Sequence, residues 1–575
     1  MIVRLTLPLA LLSGSLMAQV TYDRILHADR EPQNWLTYSG DYAGHRYSAL
    51  NQISRSNVKN LQLRWVYHPT YLANSQSKME NTPLVVDGIL YAGTVIEVVA
   101  LDAVTGHQFW KYSRPINTNP TGHVITGYQI NKGMAIAGNK LFWGTIDCHL
   151  IVLDTKDGHL IQDITMVDWH KGYHFTGVPL LVKNMIVLGV ATSEDGANCW
   201  ADAYDINTGK EVWRFYTAPM SADDPIAKTW EGDSWKHGGN PIWNDGSYDP
   251  ETNLVYFGIG NPNPGWNGDV RGGDNLYSES VVALDVDTGK LKWHYQFTPG
   301  DEYDWDSIQI PVLADMEWKG KPRKLMLWPN RNGFFYLLDR TTGEYLSGKP
   351  FVKQNWAIGI DEKGRPIKAP GIWPKPMGGG PVMPGSQGGT NFYPPSYSPR
   401  TGLLYMTVWD NYTAFSGKGD PGPWIEGVRR DGNGSYARAQ AAAAAGRGGR
   451  SAGNGVEGGA PGRGRGPGRG NPAFRTEAEG YSAIRAIDPK TGEKKWDFKL
   501  VDNSEAGVLS TAGDVVFGGS REGDFVALDA SNGSLLWWTF LGGASASGPM
   551  SYAVNGKQYL VGTAAGTMYV FTLPD

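Results

Sequence analysis

Short β-rich runs in which apolar and polar residues alternate recur along the chain, and each ends in the same polar punctuation. The unit reads Ala-x-Asp-x-x-Thr-Gly-x-x-x-Trp. It runs in full from Ala100 to Trp110, Ala203 to Trp213, Ala283 to Trp293 and Ala486 to Trp496, and from Ala527 to Trp537 with Asn532 before the Gly. Shorter copies without the Trp run from Val152 to Gly158 and from Leu337 to Gly343. A period of two predicts a half-buried strand. Asp and Thr-Gly predict a tight hairpin, with Gly supplying a positive φ. The Trp opens the outgoing strand and is expected to pack across to the neighbouring unit, its indole N–H on a backbone acceptor.

Successive motif aspartates lie 52, 51, 80, 54, 149 and 41 residues apart. Units of about 40–50 residues with four strands each suit propeller blades. Seven copies are visible, and the longest gap has room for another blade around Tyr397 to Tyr405. The expected fold is therefore all-β, an eight-bladed β-propeller. Its ring would close by joining N-terminal strand material to the last strand, Thr567 to Leu573. Length alone would allow several domains, but unrelated domains do not account for equivalent motifs at blade spacing.

Composition adds detail to this picture. Gly occurs 75 times and Trp 22 times in 575 residues, as many short strands with turns require. A net charge of −5 points to no polyanionic partner and no nucleic acid. Arg4 precedes an apolar run from Leu5 to Ala18 that is too short for a membrane span, which predicts a signal peptide over 1–18. The mature chain, 19–575, is expected to be an exported periplasmic protein without a membrane span. Cys148 and Cys199 are its two cysteines, and whether they pair is open. No Cys-x-x-Cys-His is present, so no c-type haem is expected in the chain itself. Residues 427–475 hold nine Arg against Asp431 and Glu457, amid Gly and Ala. With so few large apolar residues, this segment is expected to be a disordered, solvated loop insertion.

Candidate chemistry centres on Gly300-Asp301-Glu302-Tyr303-Asp304-Trp305-Asp306. Carboxylates so crowded would take up protons in a pocket unless a cation sat between them. With Thr298 and Pro299 before it, and with the tryptophan-bearing repeat, this stretch resembles the quinoprotein alcohol dehydrogenases. That is the methanol and ethanol dehydrogenase family, which uses pyrroloquinoline quinone (PQQ) and a metal ion. The resemblance implies PQQ on the axis of an eight-bladed propeller and a small alcohol as substrate.

The resemblance also implies roles for residues. Asn261, in Gly258-Ile259-Gly260-Asn261-Pro262, and Glu194, in Thr192-Ser193-Glu194-Asp195-Gly196, fall at metal-ligand positions. Asp304 falls at the catalytic aspartate, which is also a metal ligand. Asp306 matches an additional Asp found in members that use a lanthanide in place of Ca²⁺, since a trivalent hard cation gains more from another anionic oxygen. Trp243 matches the ring on which PQQ stacks, and Arg331 the Arg at its reactive oxygens. Glu80, Thr176 and Asn391 fall at further PQQ-contact positions, and Lys132 stands where an Arg is common. Two departures are evident. The adjacent cysteine pair of many members is missing from the region of Thr126 to Gly133, and Glu505 replaces a pocket Trp.

The implied reaction is oxidation of an alcohol to an aldehyde or ketone. Asp304 takes the hydroxyl proton, a hydride passes to PQQ C5, the metal polarises the quinone and Arg331 steadies the developing charge. A separate cytochrome c is the expected electron acceptor. The alternatives are a non-catalytic propeller scaffold of the cell envelope and a PQQ enzyme for sugars or polyols. Substrate and oligomeric state stay open, a homodimer being one option.

Overall fold

Eight four-stranded antiparallel blades follow one another around a ring. The computed structural model describes residues 19–71, 78–116, 130–192, 194–374, 381–413, 417–433 and 480–575. The expected signal peptide, residues 126–129 of the region without the cysteine pair, and residues 434–475 of the Gly/Arg-rich segment lie outside these. Blade one runs Leu84–Val86, Ile89–Gly93, Glu97–Asp102 and Gln108–Ser113 from the axis outward, and the other blades repeat this order.

The motif lies at the corner between the third and fourth strands, which explains its residue types. In blade one, Asp102 accepts from the N–H groups of Val104 and Thr105 at 2.9 and 2.8 Å, and closes the turn. Trp110, Trp213, Trp293 and Trp496 each seat on the motif Gly of the next blade. A Cβ on Gly158 would stand 2.4 Å from the Trp110 ring, and one on Gly289 2.5 Å from Trp213. Gly158 also has a φ of +74°, so this corner needs glycine both for its turn and for the flat seat it offers. The indole N–H groups of Trp110, Trp213 and Trp496 donate to Thr155, Val286 and Ala530 carbonyls at 3.0, 2.8 and 3.1 Å. Each such ring is a clamp between blades, and its removal is expected to cost about 3–5 kcal/mol.

The expected count of eight blades holds, but its composition needs one correction. The stretch from Tyr397 to Tyr405 is not an extra blade. It belongs to strands Ser396–Ser398 and Leu403–Asp410, the inner half of the blade completed by Tyr481–Asp488 and Glu493–Leu500. A motif at the third strand claims the two strands before it, and here the insertion separates them. The eighth blade is the closing one. Its strands Met550–Val554, Lys557–Ala564 and Thr567–Thr572 pair on to Gln62–Tyr67 from the N-terminus, with Gln62 opposite Thr572. Its clamp, Trp65, donates to the Ala103 carbonyl at 3.3 Å.

A second N-terminal element ties the inner strands together. Tyr42, Ala43 and His45 carbonyls accept from Tyr248, Leu313 and Tyr397 N–H groups at 2.9, 2.8 and 2.8 Å. Tyr47–Ser48 then pairs in parallel with Ser510 and Thr511. Arg46 is fully buried here and donates to the carbonyls of Tyr38, Gly548 and Pro549 and to Thr82 Oγ1. One peptide segment thus bridges blades far apart in sequence.

Candidate active site

Two kinds of loop open on the same face of a propeller, those entering the innermost strand and those between the second and third strands. Every candidate residue lies in one of them. Glu80, Lys132, Thr176, Trp243, Asp304, Asp306 and Asn391 precede innermost strands, whereas Glu194, Asn261 and Arg331 follow second strands.

The acid-rich stretch is folded around Asp301. Its buried carboxylate accepts from the N–H groups of Tyr303, Asp304 and Trp305 at 3.2, 2.8 and 3.2 Å. Three such bonds bend the chain so sharply that Asp304 has a φ of +60°, uncommon for a residue with a Cβ. The aromatics hold the turn from behind. Trp305 packs on Trp356 with ring centroids 5.0 Å apart and donates to the Gly385 carbonyl at 2.9 Å. Glu302 points elsewhere, accepting from Gly268 N–H at 2.7 Å.

From this turn the side chains link one to the next. Arg331, fully buried, donates from Nη1 to Asp306 Oδ2 at 2.6 Å and from Nη2 to Asp304 Oδ2 at 3.3 Å. Asp306 Oδ1 accepts the backbone N–H of Asn261 at 2.8 Å. Asn261 Nδ2 lies 2.9 and 3.0 Å from the two Glu194 oxygens. Glu194, Asn261, Asp304, Asp306 and Arg331 therefore form one cluster drawn from blades three, four and five. A Cβ on Gly260 would stand 2.2 Å from Asp306 Oδ1, so the glycine before Asn261 makes room for that carboxylate.

The cluster is short of positive charge. Burial raises the Glu194 carboxyl to about 8; Arg429 opposes the rise, while Asp431 and Asp306 add to it. Burial also pushes Glu279 well above its ordinary value, with Asp301 and Asp306 adding to the effect, and raises Asp301. Hard oxygen donors around such a deficit fit a hard cation. The amide nitrogen of Asn261 faces Glu194 here, and turning the amide over would present its oxygen to a cation.

The second group of candidates gathers around Trp243. Lys132 Nζ stands 4.9 Å from the Trp243 ring centroid and 5.3 Å from that of Phe392. Glu80 Oε2 lies 3.4 Å from Lys132 Nζ and, though buried, has no hydrogen-bond partner among the described residues. Burial lowers the Lys132 ammonium, with Glu80 opposing. Thr176 Oγ1 donates to the Trp243 carbonyl at 3.3 Å, and Asn391 Nδ2 to Gln387 at 3.2 Å. A half-buried indole face, a buried cation and an orphaned carboxylate oxygen fit a flat, acidic ring system. The two groups touch through the backbone: Gly260 N–H donates to the Pro241 carbonyl at 2.8 Å, and Gly389 N–H to that of Arg331 at 3.0 Å. Glu505, the acid in place of a pocket Trp, is neutralised by Lys78 Nζ at 2.5 Å. Cys148 and Cys199 are both buried free thiols.

The sequence reading missed part of the site. Residues 427–433, assigned to the disordered insertion, are folded against the cluster. Arg430 N–H donates to the Glu194 carbonyl at 2.7 Å, and Trp266 N–H to that of Asp431 at 2.9 Å. Just upstream, Trp424 stacks on His237 at 4.0 Å and donates to the Asp195 carbonyl at 3.0 Å. Pro421-Gly422-Pro423-Trp424 and Asp431-Gly432 were the available signals of turns with an anchor. Arg averaging over the whole segment hid them.

The family model described as glucose/ethanol/alcohol dehydrogenase, β-propeller domain, matches residues 35–349. A second, for outer membrane protein assembly factor BamB, matches residues 481–574, which make up the outer half of blade six, blade seven and the three inner strands of blade eight. The chain is 35% identical to the quinohemoprotein alcohol dehydrogenase ADH IIB of Pseudomonas putida, over 99% of its own length and 78% of that protein. It is 33% identical to the quinoprotein alcohol dehydrogenase PedH of Pseudomonas putida, over 97% and 90% of the two chains. Among solved structures, a europium-containing methanol dehydrogenase superposes with a TM-score of 0.82 at 29% identity, over 96% of this chain and all of that one. The chain belongs to the PQQ-dependent alcohol dehydrogenase family and is an oxidoreductase acting on CH–OH donors.

Proposed function

We propose that Glu194, Asn261, Asp304 and Asp306 hold one metal ion, and that Glu80, Lys132, Thr176, Trp243, Arg331 and Asn391 hold PQQ beside it. The observation that carries this is the continuous Glu194–Asn261–Asp306–Arg331–Asp304 cluster, acid-rich and buried, next to a half-buried Trp243. When bound, PQQ supplies the hydride acceptor and the ion supplies Lewis acidity. Asp304 takes the hydroxyl proton of the alcohol, and the product is an aldehyde or ketone. Arg331 keeps Asp304 oriented and adds positive charge where negative charge develops. Asp301 sets the turn from which Asp304 projects.

A lanthanide is favoured over Ca²⁺ because Asp306 brings one more carboxylate to the cluster. The europium-containing relative supports this reading. Support for a periplasmic location is the apolar run from Leu5 to Ala18, read as a signal peptide. A separate cytochrome c would then receive the electrons. The test is reconstitution of metal-free protein with PQQ and either La³⁺ or Ca²⁺, followed by dye-linked alcohol oxidation. Full activity with Ca²⁺ alone overturns the lanthanide reading. Failure to bind PQQ with either ion overturns the assignment of the site.

A further inference from the structure

Lys78 and Glu505 meet although their blades are not neighbours. Lys78 precedes the innermost strand of blade one, Leu84–Val86, and Glu505 precedes that of blade seven, Val508–Thr511. Both entry loops open on the face that carries the candidate site. Lys78 Nζ donates to Glu505 Oε2 at 2.5 Å, with the two side chains 25% and 20% exposed. Blade eight stands between the two, so a link this short runs along the inner rim of the ring.

The rest of the neighbourhood belongs to the cofactor group. Lys78 lines a small cavity together with Glu80, Asn81 and Asn131. Glu80 faces Lys132 at 3.4 Å, and its Oε2 has no hydrogen-bond partner among the described residues. Burial works against the charge of Lys78, Glu505 and Glu80 support it, Arg521 opposes it, and the ammonium is held above its ordinary value. Arg521 itself donates to Asn503, two residues before Glu505, at 2.6 Å.

A charge count separates this pair from an ordinary surface ion pair. Glu80, Lys132, Glu505 and Lys78 sum to zero. Arg331, the other cation of the site, is already taken by Asp304 and Asp306. A ring system with three carboxylates needs donors that are not yet spent. An ammonium has three, and Glu505 is the one acceptor of Lys78 among the described residues.

We propose that Lys78 is a further cofactor-binding residue, which takes a carboxylate of PQQ, and that Glu505 is its counter-ion and limits how tightly PQQ is held. This rests on the reading that PQQ lies beside Trp243. Glu505 keeps Lys78 on the rim, but it competes for the same ammonium and repels the incoming carboxylates. Removing the charge of Glu505 while keeping an oxygen acceptor for Lys78 therefore tightens PQQ binding. Removing Lys78 weakens it.

The test is equilibrium dialysis of PQQ against the full chain, read by absorbance, with La³⁺ and separately with Ca²⁺. Lys78→Met is expected to raise Kd about 10–100-fold, the size of a lost hydrogen bond to a charged group. Lys78→Arg should keep most of the affinity. Glu505→Gln should lower Kd about 3–10-fold, as the loss of one repelling charge near the rim does. Lys156→Met is the control, since Lys156 is exposed at a corner between third and fourth strands and so on the opposite face; its Kd should not move. Thermal melts establish that each variant is folded. A merely structural ion pair would lose stability in both substitutions, and neither would tighten PQQ. A wild type that binds no PQQ overturns the site assignment and this proposal together. A wild type that binds PQQ, with Lys78→Met unchanged or with Glu505→Gln no tighter, overturns this proposal alone.

Discussion

The backbone N–H of Asp304 donates to the carboxylate of Asp301 at 2.8 Å, and this bond turns an ordinary run of acids into a directed one. The donated hydrogens of Tyr303 and Trp305 complete the same cap. Asp301 thus points back into the protein, and Asp304 is released toward Arg331. Replacing Asp301 by Ala is expected to cost about 3 kcal/mol, the order of hydrogen bonds to a carboxylate in a buried site. It should also lower kcat more than it raises KM, because Asp304 loses its aim. Urea unfolding and dye-linked kinetics on the reconstituted enzyme check both parts.

Asp304→Asn keeps the shape of the side chain and removes its basicity. Alcohol oxidation should fall about 10²–10⁴-fold, the usual share of a positioned base. PQQ binding, followed by its absorbance after gel filtration, should persist. A variant with near-normal activity would remove Asp304 from the chemistry.

Arg331 is the guanidinium that bridges Asp304 and Asp306, and all three are buried. Arg331→Met leaves two acids facing each other, and a loss of roughly 3–5 kcal/mol is expected in metal-free protein. Added La³⁺ should restore part of that loss by supplying countercharge. Thermal melts with and without the ion measure the difference.

Metal-free protein should lose stability as pH rises from about 5 to about 8. The carboxyl of Glu194 sits at about 8 in the fold, against an ordinary value of 4.5. Between those values the folded chain holds a proton that the unfolded chain has released, so raising the pH favours unfolding. Metal binding should abolish the slope and release a proton, since a ligand carboxylate is ionised. Urea midpoints at pH 5 and pH 8, with and without La³⁺, read the sign. A midpoint that rises with pH in the metal-free protein contradicts the account.

Asp306→Ala removes the carboxylate that is proposed to select the ion. Binding of La³⁺ should weaken more than that of Ca²⁺, which isothermal titration reports directly. Equal losses for both ions would make Asp306 a support for Arg331 and Asn261, both of which it already bonds.

Blade architecture was legible because it is local. Asp, Thr-Gly and Trp lie within a dozen residues, and each acts on its own turn or on the next unit. The same locality explains what was misjudged. Trp65 belongs to no motif, since its blade is completed by strands near the C-terminus. The stretch around Tyr397 looked like a separate unit because the insertion stands between it and its partners. The folded residues 427–433 were hidden by the Gly and Arg that follow them.

By itself, the sequence determined the repeat, the ring and the kinds of side chain available, since turn and strand preferences act over a few residues. Only the tertiary structure decided which carboxylates share one space. Glu194, Asn261 and Asp306 are brought into hydrogen-bond contact by the side-by-side packing of blades three, four and five, which Trp213 and Trp293 clamp together. It also decided that Glu505 is answered by Lys78. Such pairings depend on distances between loops far apart in the chain, and no local pattern encodes them.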